Sequence, residues 1–342
     1  AGVVRPEALR SLEGLDNVLG LLERVAGHAP RPYHFVVLSD HGQSQGATYL
    51  QRCGESLQDT VRSLLADGEH AVAAATGAVE AWGPVNVFLS QLTEQRSVTG
   101  SMTRRVLRSR TSDGTVRLGP GEREESAIED GRPEVVVVGS GNLGGVWFAR
   151  EPGRLTLEEL QLLHPAMVPG LVRRPEVGFV VVDTAAHGAV AIGAAGVHRL
   201  EDGVVEGTDP LAAFGRYAAA DLRHIAGYTN APDLYVNSSY DAVLDEVAAF
   251  EELVGCHGGL GGWQTRPILI RPADWALDED LLTDGTIRGA EVLHVQLVRW
   301  LERLGHRAGL LPRAAELDLL AAGPQLAEDL PGSGLSQDRA DG

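Results

Sequence analysis

Tyr33-His34-Phe35-Val36-Val37-Leu38 runs directly into Ser39-Asp40-His41-Gly42-Gln43-Ser44-Gln45-Gly46. The first six residues hold no acid and no strong base, and they read as a buried strand. A run without polar alternation suits a parallel sheet covered on both faces. The eight residues that follow are polar and broken by glycine. They stand at the strand's carboxyl end, where functional groups gather in open α/β sheets. Upstream, Leu12, Leu15, Leu19, Leu22 and Val25 recur at helical spacing within Pro6 to Ala26, which predicts a core-facing amphipathic helix. Gly27-His28-Ala29-Pro30 ends it. The chain enters this helix without a leader, and the expectation is a fragment or processed product.

Downstream, the alternation of helical and extended patterns continues. Ser56 to Ala66 and Ala71 to Ala81 read as helices, and Val85 to Leu89 as a short strand. Residues 90–133 are polar, with Arg104-Arg105 and a Glu122-Arg123-Glu124-Glu125 run, and are expected to be a mobile insertion. Pro133 to Gly139, Gly145 to Ala149, Val177 to Val182, Ala189 to Ile192, Asp233 to Val236 and Pro267 to Ile270 read as strands. Leu155 to Val172 reads as a helix opened by a Thr156-Leu-Glu-Glu capping pattern, and Leu211 to Arg223 as another. Ala290, Leu293, Leu297, Trp300 and Leu304 mark the docking face of a late helix. The fold class that follows is a layered α/β/α domain with a mostly parallel central sheet, spanning 1–322, with a disordered tail at 323–342.

Composition narrows the function. The 342 residues carry 47 acids against 29 bases, a net charge of -18. Such a surface repels phosphate backbones, so nucleic-acid binding is not expected. Cys53 and Cys256 form no disulfide framework and no zinc spacing. No apolar run reaches the ~18 residues that a membrane span needs.

Two stretches invite chemistry. Gly139-Ser140-Gly141-Asn142-Leu143-Gly144 is a literal GxGxxG after a strand. A dinucleotide site requires a helix immediately afterwards, yet Gly145 to Ala149 reads as strand. A glycine-rich hairpin fits better, and a nucleotide-cofactor oxidoreductase is kept as the second alternative. The other stretch is Asp40-His41. A carboxylate and an imidazole side by side can reach one divalent cation as hard oxygen and borderline nitrogen. His257 lies among Gly255, Gly258, Gly259, Gly261 and Gly262, which leave its ring unshielded. Spacing alone balances a metal site evenly against a structural turn.

These residues also carry a family resemblance. Val-Val-Leu-Ser-Asp40-His41-Gly42 followed much later by His257-Gly-Gly resembles the carboxyl-terminal half of the alkaline phosphatase superfamily, in its type I phosphodiesterase/nucleotide pyrophosphatase branch. LSDHGQSQG, SGNLG and AFEELVGCHGGLGGWQTRP resemble actinobacterial members that often carry holin-like membrane segments ahead of the catalytic domain. The resemblance covers about Pro6 to Ala273. It implies a metal-dependent phosphoester hydrolase with two divalent metals, commonly zinc, acting on a small-molecule phosphodiester or nucleotide pyrophosphate. Asp40 and His41 would hold the metal that also binds the nucleophile, and His257 the second metal. Gln43 and Asn142 are the candidate substrate contacts.

The chain departs from that pattern in what precedes Asp40. The family's first metal-binding Asp, its Ser or Thr nucleophile and its Asp-x-x-x-His pair have no counterpart between residues 1 and 39. The chain therefore resembles the half of an active site that lacks the nucleophile. It is expected to be inactive alone, within a parent that is an enzyme and attaches to a membrane through other segments. The rival of another class is a non-catalytic binding or assembly domain that keeps the fold.

Overall fold

A computed structural model describes residues 6–66, 72–76, 111–112, 115–116, 133–253 and 255–306. Helix α1 is Pro6–Ala26, α2 is Tyr49–Cys53 and α3 is Leu57–Leu64. Strand β1 is Val72–Thr76, β2 Val135–Ser140 and β3 Leu143–Phe148. Helices α4 (Leu157–Leu163) and α5 (Met167–Val172) come next. Strands β4 (Val177–Thr184), β5 (Gly188–Gly193), β6 (Gly196–Arg199) and β7 (Val205–Gly207) precede α6 (Ala218–Ala226) and β8 (Leu234–Ser238). Helix α7 is Ala290–Arg303. The chain divides into two compact units, one of residues 1–34 and 38–269, the other of 35–37 and 270–342.

The main sheet of the first unit has eight strands in the order β7-β6-β5-β4-β8-β3-β2-β1. Only β1 and β2 run parallel; every other neighbouring pair is antiparallel. The expectation of a mostly parallel sheet is corrected here. Its premise was that two-sided burial implies parallel strands, but here hairpins supply the apolar strands and helices still cover both faces. Phe179, Val180, Val181 and Val182 of β4 are all fully buried. Val180 and Val182 face a core with Leu57, Val61, Leu160, Met167 and Leu171 of α3, α4 and α5. Phe179 and Val181 face the opposite core, with Leu200, Leu211 and Leu222. Burying each such side chain contributes about 1.5–3 kcal/mol, so β4 anchors both layers. The α/β class with helices on both faces is present.

Local chemistry explains the remaining departures. Ala71 to Ala81 was expected to be helical, whereas Val72–Thr76 pairs beside β2 as a strand; an alanine-rich run follows its tertiary partner. Leu155 to Val172 is two helices, not one. Thr156 and Glu159 form the expected capping box, but His164 precedes Pro165 and leaves helical geometry, as residues before proline do. Leu211 to Arg223 is broken likewise at Gly215, φ +96°, which separates a 3-10 turn at Ala212–Phe214 from α6.

The largest departure is at the amino-terminal end. Of Tyr33 to Leu38 only Val37–Leu38 is strand, and it lies outside the main sheet; Tyr33 and Leu38 are exposed. Helix α1 forms as the spacing predicts, but none of its residues belongs to a core cluster among the described residues. Leu19 is half-buried, and the other large apolar side chains of the helix are exposed by 50% at Leu22 to 66% at Leu15. The strand expected at Val85 to Leu89, most of the insertion at 90–133 and the tail at 323–342 lie outside the described residues.

In the second unit, α7 buries Val295, Gln296, Arg299 and Trp300, whereas the predicted stripe shares only Trp300 with that set. Trp300 Nε1–H donates to the Ala276 carbonyl at 3.0 Å, and Arg299 Nη1 donates to Asp278 and Asp280 at 2.9 Å. Burial alone would raise the Asp278 carboxyl, but Arg303 and Arg299 hold it below the usual range.

Candidate functional site

A second, four-stranded sheet brings the distant motifs together. Ser44–Gln45 lies between Glu246–Val247 and Gly255–Cys256, with Ser44 opposite Cys256 in antiparallel register. Continuing that register one residue beyond the pair puts His257 beside the segment that follows Asp40-His41. The imidazoles of His41 and His257, 216 positions apart in sequence, stack with centroids 3.7 Å apart and planes inclined by 18°. Asp40, His41 and His257 therefore lie near one another on an exposed surface of the first unit, beside the small sheet and not at the carboxyl edge of the main one.

Three fully buried amides shape the loop that carries His257. Asn142 Nδ2–H donates to the Leu260 carbonyl at 2.8 Å and its Oδ1 accepts from Gln264 Nε2 at 2.9 Å. Asn237 Oδ1 accepts from Leu260 N–H at 2.8 Å. Gln264 Nε2 also donates to the Gly261 carbonyl, and Ser44 Oγ–H donates there at 2.8 Å. Gly259 is required by this packing, because a Cβ would come within 2.6 Å of both Asn142 Oδ1 and Asn237 Oδ1. Gly42 is wedged in the same way, with its N–H on the Gln264 carbonyl at 2.9 Å. Buried polar groups paired this completely rigidify a loop.

The GxGxxG stretch is part of this scaffold. Gly139 to Gly144 spans the ends of β2 and β3 and the turn between them. Gly141, at φ +55°, turns the hairpin so closely under the histidine loop that a Cβ would stand 1.7 Å from the His257 carbonyl oxygen. Strand rather than helix follows Gly144, so the structure lacks the helix amino terminus that a dinucleotide would need. The oxidoreductase alternative is set aside on this ground. Glu251 ties the turn down: its buried Oε2 accepts from Gly141 N–H at 2.8 Å. Cys256 is buried behind this loop. Burial, followed by the Glu251 charge, pushes its thiol up to about 12, which excludes a thiolate nucleophile near neutral pH.

The candidate ligands have a definite geometry. His41 Nδ1–H donates to the Gly42 carbonyl at 2.5 Å, which turns Nε2 to the other side of the ring. Nε2 stands 3.5 Å from Asp40 Oδ1. Asp40 Oδ1 also accepts from the His41 backbone N–H at 3.0 Å, and a proton on Nε2 or a cation shared by both atoms would join it to Nε2. The spacing is close to the ~3.4 Å separating two ligands of one tetrahedral zinc with ~2.1 Å bonds. His257 cannot join the same ion. A metal lies in the plane of each imidazole that binds it, and two planes 3.7 Å apart inclined by 18° meet only on the order of 10 Å away, far beyond a ~2.1 Å bond. Stacked rings could serve only two separate ions, one in each ring plane. Among the described residues no group of three or more His, Cys, Asp or Glu side chains is arranged around one point. Asp40, His41 and His257 therefore form no complete ligand set among the described residues.

The candidate substrate contacts, and two further polar or aromatic residues of the first unit, are placed as follows. Gln43 is exposed beside His41. Asn142 is fully buried with its amide occupied, so it supports the His257 loop and does not face a substrate. His198 is paired with Asp209 at 2.9 Å. Trp263 is exposed, with the Arg266 guanidinium 4.8 Å from its ring centroid. Gln264, Glu251 and Ser44 were not singled out for the roles they take. The signal for them was the glycine density of residues 255–262, since a loop with so few side chains must be held by buried polar groups supplied from elsewhere. No protein-family model, curated protein or solved structure matches the chain.

Proposed function

We propose that this chain supplies one half of a two-metal phosphoester hydrolase site, in line with its resemblance to the alkaline phosphatase superfamily. The observation that carries the reading is the parallel stacking of His41 on His257, with Asp40 Oδ1 opposed to His41 Nε2. Asp40 and His41 would hold one divalent ion and His257 a second, zinc being the ion these donors suit. When bound, such a pair neutralises the phosphoryl oxygens and activates a hydroxyl. The chain's own part is to orient: Gly42 fixes the His41 tautomer, and the Asn142-Asn237-Gln264 amides hold the His257 loop. The substrate is a small phosphoester, with Gln43 exposed to meet it.

A catalytic zinc requires three protein ligands and an open position, and a covalent route requires a hydroxyl nucleophile. Residues 1–342 with zinc are therefore expected to hydrolyse bis(4-nitrophenyl) phosphate no faster than buffer. A longer protein that adds a nucleophile and the remaining ligands ahead of residue 1 should turn it over, and should lose that activity with a chelator or with His257→Ala. Unchanged turnover in the His257→Ala protein would overturn the reading. The second reading, a non-catalytic binding domain, draws on the lack of a complete ligand group among the described residues.

A further inference from the structure

On the second face of the sheet, Trp147, Tyr228 and Tyr235 wall a groove of about 560 Å³. Val138, Leu143 and Gly145 form its floor. Gly145 makes room for the indole: a Cβ there would stand 2.5 Å from Trp147 Cη2. The Tyr235 hydroxyl is turned away, donating to the Ile225 carbonyl at 3.1 Å, so that ring offers only apolar surface. Tyr228 is 52% exposed and forms an open lip. None of the residues lining the groove is charged, in a chain with a net charge of -18.

Ser140 lines the groove, and it packs against the histidine loop. A Cβ at Gly258 would meet the Ser140 carbonyl oxygen at 2.5 Å and its Oγ at 3.0 Å. Ser140 is thus shared between the groove and the packing of the loop that carries His257. Its size falls in the range of small-molecule sites, ~300–1,000 Å³. Its walls suit a flat ring, which gains from offset or edge-to-face packing on aromatic side chains. Its polar lining, Ser140, Thr229 and Asn230, is neutral, so an anion would meet no opposite charge there and its burial would be costly.

We propose that this groove binds a neutral, flat aromatic group, the organic part of the phosphoester whose phosphoryl end reaches the histidine pair. The link to a phosphoester rests on the hydrolase reading, while the preference for a flat ring does not.

The test is a titration of the full 342-residue chain, ¹⁵N-labelled on tryptophan, with 2-naphthol and with its saturated counterpart decahydro-2-naphthol, followed through the Trp147 indole N–H signal. A saturable shift with 2-naphthol is expected, with the saturated compound binding about fivefold or more weakly. Tyr228→Ala, at an exposed position that should not disturb folding, is expected to weaken 2-naphthol by about fivefold. Gly145→Ala, which displaces the indole, should weaken it as well. No saturable shift, equal affinity for both compounds, or an unchanged Tyr228→Ala protein would overturn the groove. With zinc present, 2-naphthyl phosphate should bind more tightly than 2-naphthol, and His257→Ala should remove only that difference. If 2-naphthol binds as expected but zinc gives its phosphate no advantage, the groove stands and the hydrolase link falls.

Discussion

Asp233 shows how one buried carboxylate holds the scaffold. Its oxygens accept from Leu155 N–H at 2.6 Å and from Phe148 N–H at 2.8 Å, which joins β3 to the start of α4. Burial holds its carboxyl above the ordinary value of 3.8, against the pull of those two N–H groups. A folded pKa above the unfolded one means that the protonated form favours the fold. Its contribution is fully present below about 3.8 and is lost as pH rises through the raised value. Asp233→Asn removes this titration and one of the two acceptors, at a cost of about 1–3 kcal/mol. Urea unfolding at two pH values checks the sign: the cost should be greater near pH 4 than at pH 7, and the reverse order would contradict the assignment. The site residues obey a similar logic. His41 is informative because one of its nitrogens is committed to the Gly42 carbonyl, which leaves the other to face Asp40.

At the scale of elements, the hairpin of β2 and β3 and the loop at residues 257–264 act as one piece. Gly141→Ala places a methyl group on the His257 carbonyl at a positive φ, so the loop must move. Roughly a tenfold loss of zinc affinity is expected, as for other changes to groups that orient metal ligands. Isothermal titration checks it, and unchanged affinity would show that the hairpin does not position His257. Much of this was legible in sequence. Asp40, His41 and His257 were named from residue chemistry and resemblance, and the hairpin from the strand pattern after Gly144. The sheet's direction was not legible. Val177 to Val182 looks the same whether its neighbours run parallel or antiparallel, because burial on both faces erases the alternation that separates the two. The role of Asn142 was also hidden. A polar residue on a glycine turn looks exposed until the partner loop, over 100 residues away, is seen to bury it.

For the molecule as a whole, the exposed stripe on α1 is the least satisfied feature. Leu9, Leu12, Leu15, Val18, Leu21, Leu22 and Val25 are all exposed, and contiguous apolar surface of this kind drives association. Replacing Leu12, Leu15 and Leu22 with Gln should reduce concentration-dependent association in sedimentation velocity. Stability should change by less than about 0.5 kcal/mol, because none of the three belongs to a core cluster. Undiminished association would place the sticky surface elsewhere. Among the described residues no helix is long and apolar enough to cross a membrane, so this stripe is a surface feature of an amphipathic helix. The central claim concerns the first unit, where two sheets and a glycine loop set two imidazoles in parallel planes. Zinc titration of the full chain by calorimetry, beside His257→Ala, tests it most directly. The account predicts two weak sites, of which His257→Ala removes one and leaves the other. A single tight site, or binding that His257→Ala leaves untouched, would contradict it.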